Sequence, residues 1–317
     1  MKKSLLILLL LMGISVASFG YQGQWGTLGT GPGQFNLQDY LTLAPNGNVY
    51  VADRDNNRVQ YFAPEGSYLG QWGTNGTGNG QFDKPEGITI GLNNCVYVVD
   101  SYNNRIEGFT LTGSYMGQIG SFGYGNGQFY LPKGIALAPS GKLYVADTGN
   151  DRIQYFGAAN GSYLGQFSST TTVPLNGPTG VATAPDGNVY VVDSLNFRVV
   201  YYTAEGICLG QFGALGSGPG QFRSATGICV DQNYIVYVTD WQSYPAMPRV
   251  QYFTATGSFI GSFGIENGPR GRAFPVGIVS VGNRLYVSDS SNCCILYYDN
   301  YLKTEPSSLG IIRSLYH

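Results

Sequence analysis

One sequence pattern returns six times along this chain and constrains the fold more than any other feature. Its centre is a short stretch of the form Tyr-Val-x-Asp, and the aspartates that end its copies are Asp53, Asp100, Asp147, Asp193, Asp240 and Asp289. Successive copies lie 47, 47, 46, 47 and 49 residues apart. Periods of this length indicate a repeat architecture, in which each copy is one small unit that buries its faces against its neighbours.

Each copy contains four apolar stretches separated by turns, which indicates four short strands. In the third copy the stretches cover residues 135–138, 142–147, 152–156 and 163–167, and Ala-Pro-Ser-Gly at 138–141 turns the chain after the first one. Pro and Gly preset or permit the backbone angles that a turn requires. Small sheets of four strands must stack to bury their faces, and six of them can form a ring. The sequence therefore predicts one all-β domain, a six-bladed β-propeller of four-stranded antiparallel blades.

The ends of the chain determine how such a ring closes. Gly-Gln-Trp-Gly at 23–26 matches the fourth-strand sequence at 70–73, although it precedes the first full repeat. It is therefore a spare fourth strand, and we predict that this N-terminal strand closes the last blade. A competing outer strand is Ser-Ser-Leu-Gly at 307–310, which resembles Ser-Tyr-Leu-Gly at 67–70. The N-terminal segment is the closer match of the two.

The first residues have the three parts of a secretory signal peptide, namely two lysines, an apolar run and small residues. We predict a signal peptide at 1–20, the propeller at 21–305 and a C-terminal tail at 306–317 that is an extra or competing outer strand. The apolar run is shorter than a membrane span. We therefore expect an exported protein, periplasmic or extracellular, with no transmembrane segment after signal cleavage.

Charge and cysteine content argue against several classes of site. Removing Lys2 and Lys3 from the 17 basic side chains leaves 15 against 19 acidic ones. Binding to nucleic acid is not expected, because phosphate contacts need a basic surface. The cysteines show no paired spacing, which indicates neither a disulfide framework nor a zinc cluster, and we expect them to be free and buried. The five are Cys95, Cys208, Cys229, Cys293 and Cys294.

Five motifs recur in a fixed order within the repeats. They are Gly-Gln-Phe, Pro-x-Gly-Ile, Gly-x-Val/Leu-Tyr-Val-x-Asp, Asn-x-Arg-Ile/Val and Gly-Ser-Tyr-Leu-Gly, and they extend over about residues 21–312. In this order they resemble the NHL-repeat family, and the resemblance implies a six-bladed β-propeller. Blade one departs from the pattern with Gln-Asp-Tyr at 38–40 in place of Pro-x-Gly, blade four lacks Gly-Gln-Phe, and blade six has Cys294 where arginine is expected.

An Asp-x-x-Asn-x-Arg motif ends the second strand and opens the third in the first four repeats. Its carboxylate and guanidinium can pair across the hairpin loop, while the asparagine can bond loop backbone. One copy per blade indicates a structural role, since a catalytic site is rarely built in several equivalent copies. The predicted pairs are Asp53 with Arg58, Asp100 with Arg105, Asp147 with Arg152 and Asp193 with Arg198.

Positions that differ between the copies are better candidates for a binding site. In the propellers that the chain resembles, the loop entering the inner strand opens onto the central channel. The residue between Pro and Gly then faces the channel mouth, and these positions form an asymmetric polar ring suited to a small ligand or a cation. The ring consists of Asp39, Glu86, Lys133, Thr179, Thr226 and Val276.

Blade five adds an irregular loop. Between Asp240 and Arg249 it carries Trp241, Tyr244 and two prolines, and it is four residues longer than its equivalents. Aromatic side chains on a stiff loop are suitable contacts for a sugar, a peptide or a partner surface, and Tyr102 is a further candidate on the same face. The alternative is an insertion that packs only on its own blade.

Histidine-dependent chemistry is nearly excluded, because the only histidine is His317. Some proteins of the kind that the chain resembles are histidine-dependent lyases, and their sites have no counterpart here. A calcium site of the gluconolactonase kind remains open through Asp39 and Glu86. We predict no other cofactor and no catalytic residue.

The sequence predicts a binding or interaction scaffold with a protein, peptide or glycan ligand on one propeller face, at the channel mouth. The alternative is a calcium-assisted hydrolase or lyase that uses the acids of the channel. An RNA-binding propeller is a third and less favoured hypothesis.

Overall fold

A computed structural model of the chain describes residues 19–91, 93–168, 173–242 and 246–300. It contains six four-stranded antiparallel sheets, which confirms the predicted six-bladed β-propeller. Most of the predicted signal peptide and the whole C-terminal tail lie outside the described residues, and export stays a prediction. Within the described part of the chain, no helix has the length and apolar character needed to span a membrane.

The strands follow the repeats in chain order. Before the first blade come β1 (Phe19–Trp25), β2 (Thr27–Leu28) and β3 (Gln34–Phe35). Blade one is β4 (Leu41–Leu43), β5 (Val49–Asp53), β6 (Arg58–Phe62) and β7 (Tyr68–Trp72). Blade two is β8 (Pro85–Ile90), β9 (Val96–Asp100), β10 (Arg105–Phe109) and β11 (Tyr115–Ile119). Blade three is β12 (Ile135–Leu137), β13 (Lys142–Asp147), β14 (Arg152–Gly157) and β15 (Tyr163–Phe167).

The second half of the ring repeats this arrangement. Blade four is β16 (Pro178–Thr183), β17 (Val189–Asp193), β18 (Arg198–Tyr202) and β19 (Cys208–Phe212). Blade five is β20 (Ala225–Val230), β21 (Val236–Asp240), β22 (Arg249–Phe253) and β23 (Phe259–Gly264). Blade six is β24 (Pro275–Val281), β25 (Arg284–Asp289) and β26 (Cys294–Asn300), with β1 as its outer strand. Short 3₁₀ turns follow the second strand of three blades, at Arg54–Asn56, Thr148–Asn150 and Ser194–Asn196.

The hairpin turns explain why each repeat folds locally. In blade one the turn between β4 and β5 is closed by the Gly47 amide, which donates to the Ala44 carbonyl at 2.8 Å. Gly47 has a φ of +87°, a conformation that glycine adopts without the cost that other residues incur. All five residues of β5 are buried, as expected for a strand that neighbouring blades cover on both faces.

The N-terminal strand fastens the ring, as the sequence predicts. β1 pairs antiparallel with β26, from Phe19 opposite Asn300 to Trp25 opposite Ile295. The strand begins two residues before the expected start of the propeller at residue 21. Each inner strand contacts the inner strand of the next blade, and β24 contacts β4, so the ring is closed. The competing segment at 307–310 lies outside the described residues.

Six apolar clusters lie between successive blades and form the core. The cluster at the closing junction packs Val51 and Phe62 of blade one against Tyr286 and Ile295 of blade six. The tyrosine of the Tyr-Val-x-Asp motif adds a hydrogen bond across the junction, since its hydroxyl donates to a carbonyl of the next blade. These bonds join Tyr50 to Leu111, Tyr97 to Ala158, Tyr144 to Ala204, Tyr190 to Ala255 and Tyr286 to Pro64. The five cysteines are free, as predicted, and all except Cys208 are buried.

Candidate functional site

All four predicted Asp–Arg pairs are present in the structure, and each forms a buried ion pair. The distances from arginine Nε to aspartate Oδ2 are 2.7 Å for Asp53 and Arg58, 2.8 Å for Asp100 and Arg105, 2.7 Å for Asp147 and Arg152, and 2.6 Å for Asp193 and Arg198. A fifth pair joins Asp240 and Arg249 at 3.1 Å, despite the longer loop between them.

Each of these arginines also ties its blade to the connection that precedes it. The guanidinium of Arg58 donates to the carbonyls of Thr30, Gly31 and Gln34 and to the side-chain oxygen of Gln71. The motif asparagine acts on the same connection rather than on its own loop. In blade one, Asn56 Nδ2 donates to the Gly29 carbonyl and to Asp53 Oδ2. These contacts have a structural role, because they fix each connection to its blade, and they lie away from the channel.

The six variable positions converge at one end of the central channel. Each comes from a different blade, and together they line a single cavity of about 230 Å³ with Tyr40, Arg54 and Phe274. The structure therefore assembles the ring of side chains that the sequence predicts, although ligand binding there stays a prediction. The six are Asp39, Glu86, Lys133, Thr179, Thr226 and Val276.

Arg54 lies between the two acids of the cavity. Its Nε atom is 3.3 Å from Asp39 Oδ2 and 3.5 Å from Glu86 Oε1. On the other side of Glu86, Lys133 Nζ is 3.7 Å from Oε2. The Glu86 side chain is only 6% exposed, whereas that of Lys133 is 37% exposed. Lys133 is therefore the cation of the cavity that a ligand reaches first.

The environment of Asp39 favours its protonated form. Burial, followed by the charge of Glu86, raises the pKa of Asp39 to about 8, although Arg54 and Lys133 act in the opposite direction. Burial by itself lowers the pKa of Arg54, but the charges of Asp39 and Glu86 raise it overall. The raised pKa shifts Asp39 toward its neutral form, in which the acid can donate a hydrogen bond.

Tyr40 takes the place of a glycine that the other blades share. The glycines leave no room for a side chain, because a Cβ on Gly87 would lie 2.1 Å from the Lys133 carbonyl. In blade one the Tyr40 side chain extends across the channel instead, and its hydroxyl donates to the Thr226 carbonyl of blade five at 3.3 Å. Burial, with added effect from Glu86 and Asp39, raises the pKa of Tyr40 well above its usual range. Tyr40 therefore lies across the channel as a neutral side chain.

The predicted aromatic contacts do not line this cavity. Tyr102 is 49% exposed and lies outside the lining. Trp241 packs against Phe274 with ring centroids 5.7 Å apart, so it is one layer removed from the cavity. The reason is the direction of its side chain, which leaves the end of β21 toward blade six. Tyr244 lies outside the described residues.

Arg54 is a charged residue of the cavity that lies outside the six predicted ring positions. The position after the motif aspartate holds Thr148, Ser194 and Ser290 in blades three, four and six, and each hydroxyl donates to a carbonyl of the next blade. Blade one has Arg54 there, which reaches into the channel. Comparing this position between copies, in the same way as the ring positions, would have identified it.

The residues present offer a poor set of ligands for a calcium ion. Within the described residues, no group of three or more His, Cys, Asp or Glu side chains could hold a metal ion. Asp39 and Glu86 supply two carboxylates, but Arg54 lies between them, and Ca²⁺ takes 6–8 oxygen ligands. Calcium binding stays a prediction, and it requires Arg54 to move.

Family comparisons agree with this architecture. A family model described as a 6-bladed beta-propeller matches residues 91–177, and the NHL-repeat model matches residues 41–62 and 175–202. No curated protein matches the chain.

Solved structures with the same fold include several enzymes. Virginiamycin B lyase from Staphylococcus aureus, a catalytically inactive histidine-to-alanine variant with quinupristin, is 17% identical with a TM-score of 0.62, covering 89% of this chain and 99% of the lyase. A gluconolactonase from Xanthomonas campestris is 13% identical with a TM-score of 0.62 and 90% of each chain covered. Hydrazine synthase from Kuenenia stuttgartiensis is 15% identical with a TM-score of 0.61, covering 90% of this chain and 80% of that one.

At these identities the similarity establishes the fold alone. The similarity, the repeat motifs, the family matches and the closed ring of six blades together identify the architecture. They do not identify an activity. The chain contains NHL-repeat matches at residues 41–62 and 175–202 and folds as a six-bladed β-propeller.

Proposed function

We propose that the protein is a binding module whose channel-mouth cavity holds one sugar ring of a glycan. The observation that carries this proposal is the convergence of a non-repeating side chain from every blade on one cavity. Residues that only maintain the frame repeat from blade to blade, as the buried ion pairs do. The variation at the cavity is best explained by recognition of an asymmetric ligand.

The chemistry of the cavity suits a hydroxylated ligand. With Asp39 protonated, the cavity offers hydrogen-bond donors at Asp39, Arg54 and Lys133 and acceptors at Glu86 and the threonine hydroxyls. Sugar hydroxyls donate and accept on the same ring, so they can use both kinds of group. A cavity of about 230 Å³ is below the roughly 300–1,000 Å³ typical of drug-sized ligands. It therefore suits a single ring rather than an extended oligosaccharide.

A screen of neutral, amino and acidic monosaccharides by thermal denaturation tests the proposal. We expect at least one sugar to raise the Tm of the wild type, and Lys133→Ala or Glu86→Gln to remove that rise. Lys142→Ala is the matched control, because Lys142 pairs with Glu205 at 3.5 Å outside the cavity. A Tm rise that survives in both cavity variants, or a wild type that responds only to peptides, would contradict sugar binding at this site.

A second candidate function rests on the raised pKa of Asp39. An acid that is protonated near neutral pH, beside a second carboxylate, resembles the acid and base pairs of hydrolases and lyases. This enzyme would act without histidine, unlike the lyase whose structure is of an inactive histidine variant. Turnover of a sugar lactone or glycoside that Asp39→Asn abolishes, while sugar binding persists, would favour the enzyme over the binding module.

A further inference from the structure

In blades one to three, the buried aspartate is part of a filled arginine slot. Asp53 Oδ2 accepts hydrogen bonds from Arg58 Nε and Gln60 Nε2, both of which lie on the third strand. The far end of Arg58 is held by the Gly31 carbonyl and by Gln71 of the outer strand. The slot thus consists of a carboxylate, a backbone carbonyl and an outer-strand glutamine around one guanidinium.

Blade six keeps the aspartate but lacks the arginine. Its register pairs Asp289 with Cys294, as Asp53 pairs with Arg58 in blade one. Leu296 stands two residues later, where blade one has Gln60. Among the described residues, Asn292 is the one side chain that donates to Asp289 Oδ2, at 2.7 Å. Asp289 is only 1% exposed, and Cys294 and Leu296 cannot replace the two third-strand donors that Arg58 and Gln60 supply in blade one.

In blade six, the place that the arginine occupies in the other blades is an open cavity at the junction of blades five and six. This seam pocket has a volume of about 320 Å³, and Asp289, Gln24, Gly268 and Leu296 are among its lining residues. Gln24 corresponds to the outer-strand glutamine of blade one, and Gly268 precedes a proline as Gly31 does. The carboxylate, the glutamine and the carbonyl-bearing loop of the slot are therefore all present without the cation.

The walls of the seam pocket also favour a cation. Glu266 adds a second acid to the lining, and none of its described lining residues is basic. Tyr21 and Tyr298 lie 5.8 Å apart at their ring centroids and contribute aromatic surface to the pocket. A planar guanidinium can stack on such rings, and in blade one it gives one N–H to the carboxylate and others to the glutamine and the backbone carbonyl. A simple ammonium matches this fork of donors less well.

We propose that the seam pocket binds a guanidinium group, supplied by an arginine side chain, which restores the ion pair that blade six lacks. The guanidinium bonds Asp289 and the Gln24 side chain, and the alkyl stem contacts Leu296 and the tyrosines. This site is separate from the channel-mouth cavity and does not depend on the function proposed there.

Agmatine, an alkylguanidinium, is the probe for this site. Calorimetric titration should show agmatine binding at least tenfold more tightly than cadaverine, an amine of similar length. Cys294→Arg supplies the missing guanidinium from within the chain, so it should raise the Tm and weaken agmatine binding at least tenfold. Cys294→Ala leaves the slot open and is the matched control, which should keep the wild-type affinity.

Asp289→Asn keeps the shape of the side chain and should also weaken agmatine binding at least tenfold. It serves as the second variant if Cys294→Arg fails to fold. Arg313→Gln distinguishes the source of the guanidinium. A tenfold gain in agmatine affinity on this change assigns the slot to the chain's own C-terminal arginine, whereas unchanged affinity assigns it to an external one.

Two results would overturn the proposal. One is that neither the wild type nor Arg313→Gln binds agmatine. The other is that agmatine binds equally well to wild type, Cys294→Arg and Asp289→Asn.

Discussion

Replacing Arg58 by methionine should destabilise the protein far more than the same change in an exposed ion pair. The Arg58 side chain is 6% exposed and its partner Asp53 is fully buried. Methionine fills much of the volume but leaves the Asp53 carboxylate buried without its cation. Breaking a buried pair in this way costs about 3–5 kcal/mol. The loss includes the bonds from the guanidinium to the carbonyls of Gly31 and Gln34.

Arg284→Met is the matched control. Arg284 and Asp299 form two hydrogen bonds, at 2.7 and 2.9 Å, but their side chains are 33% and 29% exposed. Exposed pairs contribute about 0–1 kcal/mol. Urea unfolding of both variants measures the difference, and Asp53→Asn combined with Arg58→Met should recover part of the loss because no buried charge then remains. Equal losses for Arg58→Met and Arg284→Met would refute the reasoning.

Three further predictions concern the channel mouth and possible partners. Because the folded pKa of Asp39 is about 8, against about 3.9 in an unfolded chain, Asp39 stabilises the fold below about pH 4, and this contribution is lost as the pH rises through 8. Urea unfolding at pH 5 and pH 9 should therefore show a smaller loss of stability for Asp39→Asn than for wild type, and an equal loss would count against the raised pKa. Ca²⁺ should leave the wild-type Tm unchanged and raise that of Arg54→Ala, in which both carboxylates are released, whereas a wild-type rise abolished by Asp39→Ala would support the metal site instead. Binding to RNA should be undetectable at low ionic strength, and salt-sensitive binding would instead support the hypothesis of an RNA-binding propeller.

The fold could be predicted from the sequence because the repeat encodes it several times over. The spacing of the aspartates gives the blade count, and the Gly-Gln-Trp-Gly segment at 23–26 identifies the strand that closes the ring. The motif tyrosine is explained only by the structure, which shows its hydroxyl bonded to the next blade in five of the six repeats. Sequence spacing reveals a position within a repeat, but not which neighbouring blade its side chain reaches.

The candidate site was predictable only in part for the same reason. The six ring positions follow from variation between the copies, and the structure places them around one cavity. Arg54 lies inside a motif that has a structural role, and Tyr40 was visible only as a departure from Pro-x-Gly. Both residues belong to the cavity because of where their side chains reach. Arg54 contacts Glu86, and Tyr40 bonds a carbonyl of blade five. Trp241 shows the opposite case, because a conspicuous aromatic residue packs on Phe274 outside the cavity lining.

Hydrogen–deuterium exchange with the sugar that raises the Tm most is the most direct test of the claim that variation between blades marks the binding site. Sugar binding should slow the exchange of the amides around Asp39, Arg54, Glu86 and Lys133 and leave the outer strands unchanged. Protection confined to the outer strands or to the opposite face, or a protein that no sugar stabilises, would contradict it.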